Sequence, residues 1–301
     1  MSFLNDDEWM SNDYLNQLID SIDYQMMVKS IEPDEVSSGI GTYITNYKYK
    51  KKIRVGKCNY MIVCSVEVQL IATLWLLYLN QYIDRKKLYK YNYANKLRTD
   101  SIVGNLWEQD KEAGYQLSIT NAYQFGYRKW RDTAIKTANK LLDKGNNAAI
   151  LNLDIKRFYY SVSVELQSLL YSCSERGYIR SSYKEDKVLD RLTSIIQKIN
   201  KSYTEKVRPC LVEENIKVAE NQNTLLPVGL ESSNMIGNLI LTDFDEQIES
   251  LGCEYYGRYV DDMLFVFKGK VDDKQQDVIK GFLQEKFVDN DILDCVEVED
   301  R

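Results

Sequence analysis

Two groups of aspartates carry the chemistry that this sequence can offer. Asp154 ends a short, mostly apolar run, Ala148-Ala149-Ile150-Leu151-Asn152-Leu153-Asp154, and Asp261-Asp262 lies centrally in residues 254–267, with aromatic and β-branched residues on both sides. The first pattern is that of a buried strand delivering a carboxylate at its end, the second that of a β-hairpin with two carboxylates at its tip. Adjacent strands of one sheet would set these distant residues side by side. Clustered carboxylates repel, so they call for cations. Hard oxygen ligands favour Mg²⁺, with Mn²⁺ as a substitute, and two ions about 3.5–4 Å apart activate a 3′-hydroxyl while stabilising a leaving pyrophosphate. That reaction is nucleotidyl transfer, in which catalysis is mainly positioning and charge neutralisation.

Other chemistries are excluded by composition. The 301 residues include no histidine, and the six cysteines (Cys58, Cys64, Cys173, Cys210, Cys253 and Cys295) form no CxxC pair. Cys2His2 zinc sites, Ser-His-Asp or Cys-His catalysis and His-ligated metals are therefore ruled out. A chain of this length buries a core without disulfide staples, and its scattered cysteines fit a reducing, cytoplasmic setting. The N-terminus is acidic where an export signal would be basic. The most apolar stretch, 61–79, holds Glu67 and Gln69 near its middle, so it reads as a buried helix and not as a membrane span.

The elements that must position the aspartates follow from periodicity. Helical patterns run over 61–82, 123–142, 164–178 and about 234–250, with Ser232 and Ser233 placed to cap the last of them. The first half thus reads as mainly helical, and the class as α+β. Charge is uneven along the chain: residues 1–35 hold nine acids against Lys29 alone, and 271–301 hold ten acids against four cations. The whole chain is −6, so the middle is positive. Two acid-free stretches there, 47–54 and 85–98, interleave cations with tyrosines, which suits a polymer of nucleotides as well as it suits a solvated charged face.

The motifs resemble, in order and content, those of the palm of reverse transcriptases. Asp154-Ile155-Lys156-Arg157-Phe158-Tyr159 resembles their motif A. Leu226-Pro227-Val228-Gly229-Leu230-Glu231-Ser232-Ser233, with Asn238 downstream, resembles motif B, and Tyr259-Val260-Asp261-Asp262 is similar to the Tyr-x-Asp-Asp box of motif C. The resemblance spans roughly 120–268. Val228 stands where many members have glutamine, and the aliphatic Leu230 with the downstream Phe244-Asp245 is most similar to bacterial defence-associated enzymes, the abortive-infection and unknown-group reverse transcriptases.

The resemblance implies a right-hand polymerase: an acidic segment over 1–35, mainly helical fingers over 36–147, and an RRM-like (ferredoxin-like) antiparallel palm over 148–270. Residues 271–301 would be the end of the palm or the start of a thumb that is missing or reduced. It implies an RNA-directed DNA polymerase acting in antiphage defence. Its catalytic residues would be Asp154, Asp261 and Asp262, with the Ile155 carbonyl completing the ligands of two Mg²⁺ ions. Tyr159 would lie under the incoming sugar and exclude a 2′-hydroxyl, Gly229 would let the chain approach the nascent base pair, and Phe158 would be core or nucleotide contact. Arg128, Lys129 and Arg131 are the nearest candidates for binding the triphosphate, with Lys111 and Arg98 as fallbacks; the solvated face of a helix is an equal reading for the first three. Partners would be deoxynucleotides, an RNA template or non-coding RNA, the DNA product, and a second copy or another subunit. No membrane partner is expected. Untemplated or protein-primed synthesis stays open, and so does an inactive palm used as an RNA-binding or assembly module.

Overall fold

The structure, a computed structural model, describes residues 13–33, 43–46, 51–98, 120–213, 224–248 and 252–268, without the side chains of 31–33, 43–46 and 51–56. Along the chain come α1 (Asp13–Asp20), β1 (Asp23–Pro33), β2 (Tyr43–Asn46), β3 (Lys51–Val63), α2 (Val66–Asn80), α3 (Arg85–Leu88), α4 (Tyr123–Asp143) and β4 (Ala148–Asp154). They are followed by α5 (Phe158–Ser161), α6 (Leu166–Glu175), a 3-10 turn at Ser181–Glu185, α7 (Lys187–Glu213), α8 (Glu231–Ile240), α9 (Thr242–Ile248), β5 (Tyr255–Tyr259) and β6 (Asp262–Lys268). The chain is thus α+β. Among the described residues no helix is long and apolar enough to cross a membrane.

Contacts divide the chain into two units, Met1–Asp84 with Lys156–Gly237, and Arg85–Ile155 with Asn238–Arg301. This division runs through the expected fingers at 84/85 and through the expected palm at 155/156 and 237/238.

In the first unit, α2 packs on the long α7, and Val68, Ile71, Trp75 and Leu76 of the one and Leu192, Ile196 and Ile199 of the other are buried. The Trp75 indole donates to Thr193 Oγ1 at 3.0 Å, so the one polar atom of the ring is not stranded in the core. Asp186 starts α7 by accepting the backbone N–H groups of Val188 and Leu189 at 2.9 and 3.0 Å, and Glu165 does the same for α6.

The same unit holds an antiparallel sheet of order β1-β3-β2. It corrects one expectation and adds strands where none was expected. Residues 61–63 extend β3 and pair with Asp23–Gln25 of β1, so the helix expected from 61 starts only at Val66. The acidic N-terminal stretch supplies α1 and β1, and the region expected to be mainly helical opens with a sheet. An apolar run that belongs half to a strand and half to a helix has no periodicity that marks the change.

In the second unit, β4, β6 and β5 form an antiparallel sheet in that order. Helix α4 covers one face, where Trp130, Ala134, Ala138 and Leu141 meet Tyr259, Leu264 and Val266. The other face carries Tyr256, whose ring stacks on Phe265 with centroids 4.9 Å apart and meets Phe244 of α9 at 6.4 Å. Strand pleating produces this division, since alternate residues of β5 and β6 point to opposite faces. The single helix expected over 234–250 is broken at Leu241 into α8 and α9. Ser232 and Ser233 do not cap it: both lie inside its first turn, buried, with no hydrogen-bond partner for either hydroxyl among the described residues.

Candidate active site

The three aspartates share the second unit. β4 and β6 pair from Ala148↔Lys268 to Asp154↔Asp262, so the last residue of β4 lies opposite the first of β6. β5 and β6 pair up to Tyr259↔Asp262, which leaves Val260-Asp261 as a two-residue turn. Tyr259, Asp262 and Asp154 therefore form one row across the three strands, on the face that α4 covers. Asp154 is exposed and the other two aspartates are half-buried.

The turn is strained. Val260 has φ 60°, a conformation that hairpin turns ordinarily reserve for glycine and that a β-branched residue rarely adopts. Strain at a turn bearing chemically important side chains persists only where the surroundings over-determine it. Here the surroundings are aromatic: the Tyr259 ring meets those of Tyr123, Tyr127 and Trp130 at 5.0, 5.4 and 6.0 Å. The Tyr259 hydroxyl donates to the carbonyl of Tyr123 at 3.4 Å, and burial pushes its phenol up to about 12. The Trp130 indole donates to the Gly257 carbonyl at 2.8 Å. Gly126 permits the fit, because a Cβ there would lie 2.5 Å from the carbonyl oxygen of Tyr93.

Beneath the hairpin lies a buried ion pair that sequence reasoning missed. Arg258 is fully buried; its Nε donates to both carboxylate oxygens of Asp245 at 2.9 and 3.0 Å. Its other nitrogens reach the Asn238 side chain at 3.1 Å and the Asn238 carbonyl at 3.0 Å. The Tyr256 hydroxyl donates to Asp245 Oδ1 at 2.7 Å, and burial, with the Asp245 charge second, holds that phenol well above its usual range. Arg258 also joins β5 to the segment at 91–93: its N–H donates to the Tyr91 carbonyl, and its carbonyl accepts from the Tyr93 N–H, both at 2.9 Å. The only local signal for this role was an arginine alternating with core residues in a strand.

Arg128, Lys129 and Arg131 lie on the first turns of α4, all exposed, and Arg131 meets its neighbour Asp132 at 3.6 Å. The Tyr127 contact on Tyr259 ties their turn to the row that contains Asp262. In the basic stretch 85–98 the rings are engaged within the unit: Tyr91 packs on Tyr256 at 5.1 Å, and Lys96 lies over the rings of Tyr89 and Tyr93. Cations such as Lys86, Lys87 and Lys90 are the exposed part of this stretch. Burial, with Lys129 and Arg85 nearby, lowers Lys96 to about 8. Arg98 lends its carbonyl to Arg85. Lys111 and residues 47–50 lie outside the described residues, as does the expected thumb region from 271.

Phe158, Tyr159 and Gly229 belong to the first unit. Phe158 is buried, its ring so close that a Cβ at Gly237 would lie 2.9 Å from it. This makes it a core residue of the first unit. Tyr159 is half-buried, and its hydroxyl donates to Asn234 Oδ1 at 2.8 Å. Gly229 has φ 95°, and a Cβ there would lie 3.0 Å from the Met61 methyl, so the fold itself accounts for this glycine. The loop it belongs to joins the sheet edge through the Ile62 N–H to the Val228 carbonyl at 2.8 Å.

Among the described residues no three Cys, Asp or Glu side chains converge tightly enough to cage a metal by themselves. The donor set still fits Mg²⁺, which is usually held by one or two carboxylates with waters and substrate phosphates and not by an all-protein cage. The two carboxylates opposed across the ladder match that number, and a third lies in the adjoining turn. No family model matches this chain, and no curated protein matches it.

Proposed function

We propose that this protein is an RNA-directed DNA polymerase that adds deoxynucleotides to a 3′-hydroxyl by Mg²⁺-dependent nucleotidyl transfer and serves in antiphage defence. The observation that carries the reading is the pairing of Asp154 with Asp262 beside a strained Tyr-x-Asp-Asp turn. The strand order supports it too, since β4-β6-β5 is the spatial order that the first, third and second strands take in a βαββαβ unit.

In this reading Asp154, Asp261 and Asp262, with the Ile155 carbonyl, hold the metal ions. When bound, the ions neutralise charge on the attacking and leaving oxygens. The chain's own residues do the remaining work. The hairpin keeps the carboxylates in place, its strand β5 being held by Trp130 from one face and by Asp245 from the other. Arg128, Lys129 and Arg131 pair with the triphosphate. Tyr159 excludes a 2′-hydroxyl by bulk. Acidic repulsion across the β4–β6 ladder costs folding stability that the cations relieve.

The test is incorporation of each labelled deoxynucleotide and ribonucleotide by the purified protein with Mg²⁺, before and after ribonuclease treatment. Deoxynucleotide products that vanish with ribonuclease establish RNA-templated synthesis, and products that survive establish untemplated or protein-primed synthesis. The absence of products under every condition overturns the polymerase reading in favour of a binding module.

A further inference from the structure

The hydroxyl of Tyr159 is held from a helix 75 residues further along the chain. It donates to Asn234 Oδ1 at 2.8 Å, and both residues are half-buried within one unit. The neighbours of Tyr159 are fixed by other means. Phe158 is buried under Gly237, and the Tyr160 hydroxyl accepts the Tyr60 N–H at 2.7 Å. The backbone is pinned as well, since the Leu226 N–H donates to the Tyr159 carbonyl at 3.2 Å. The backbone at 158–160 is thus pinned, whereas the half-buried Tyr159 ring meets the Phe158 ring edge-on at 5.6 Å and has its staggered rotamers to choose among. A hydrogen bond at the tip of a six-membered ring acts at the longest lever arm available for choosing among them.

We infer that Asn234 is a positioning residue that fixes the Tyr159 ring, and through it sets the preference for deoxy- over ribonucleotides. The inference rests on the reading of Tyr159 as the sugar gate. A gate excludes by bulk only while its ring stays where the 2′-hydroxyl would go. A net hydrogen bond of ordinary strength changes such a population by roughly two- to tenfold, so its loss relaxes sugar discrimination by about that factor and leaves the deoxynucleotide reaction nearly intact. Replacing the acceptor with another acceptor preserves the effect.

The experiment compares the parent, Asn234→Leu, Asn234→Asp, Tyr159→Phe and Tyr159→Ala. One arm measures kcat/KM for deoxyguanosine and guanosine triphosphates. The other reads the ¹⁹F resonance of 3-fluorotyrosine at position 159 in the parent and the two Asn234 variants. Expected are a discrimination weaker by roughly two- to tenfold in Asn234→Leu and in Tyr159→Phe, with little change in the deoxynucleotide KM of Asn234→Leu, no further loss in the Tyr159→Phe/Asn234→Leu double variant, and near-parent selectivity in Asn234→Asp. The fluorine signal should broaden or shift in Asn234→Leu and hold in Asn234→Asp. Unchanged discrimination in Asn234→Leu, alongside a collapse in Tyr159→Ala, overturns the inference and leaves the gate standing. Unchanged discrimination in Tyr159→Ala, or no incorporation by the parent, overturns the gate and the inference with it; the fluorine arm then shows whether the anchoring itself holds.

Discussion

Asp154 and Asp262 lie directly opposite each other at the end of the β4–β6 ladder, with Asp261 in the adjoining turn. Like charges so placed destabilise a sheet by a few tenths to about 1 kcal/mol. Mg²⁺ is therefore expected to raise the melting temperature of the parent. Asp262→Asn should remove that response while raising the metal-free melting temperature slightly. A calorimetric scan with and without Mg²⁺ checks this, and an equal metal response in both proteins would sink the proposed ion site.

Asp154→Asn and Asp261→Asn are expected to abolish nucleotide addition, a loss of at least about a thousandfold, while circular dichroism stays that of the parent. Positioned charges of this kind are worth several kcal/mol in a transition state. Parent-like synthesis by either variant would remove these residues from the chemistry.

The Arg258–Asp245 pair is buried and tied by hydrogen bonds to itself and to Asn238, so removing one partner strands a charge. Asp245→Ala should cost about 3–5 kcal/mol in urea unfolding. Joint replacement by apolar residues, Arg258→Met with Asp245→Leu, should cost markedly less. Equal costs would mean that the pair is not what holds the hairpin to α9.

Lys96 is held near 8 by burial and by neighbouring cations. Its folded value lies below the ordinary one of about 10.5, so the unfolded chain binds the extra proton between them. Stability from this residue therefore rises as pH increases from about 8 to 10.5. Competitive amine labelling across that range should show Lys96 titrating near 8, well before the exposed lysines. An ordinary titration would mean that the amine escapes into water.

Cations, not rings, are what the stretch at 85–98 leaves at the surface, so RNA binding should depend steeply on salt. Lys86→Gln with Lys90→Gln should lower the slope of log K against log salt by roughly two. A flat titration of the parent would move nucleic-acid binding away from this surface.

Local patterns were enough for the parts that carry the carboxylates. The 3.6-residue spacing marked α4, the short apolar run before Asp154 marked β4, and the turn between two aromatic strands marked the hairpin. Each signal lies within one element, where periodicity and turn chemistry act on adjacent residues. Local patterns failed where one apolar run serves two elements, as at 61–66, and where the partner of a strand is remote, as for β1. They also failed at Leu241, where a continuous apolar stripe hides a break between two helices. Residue types and their order along the chain already say which chemistry is on offer. The burial of Arg258 against Asp245, the place of Phe158 in the core and the hold of Asn234 on the Tyr159 hydroxyl emerge only once the chain is folded. Such contacts join residues of different elements, and for Arg258 the partner is set by burial, which leaves its charge no water to turn to.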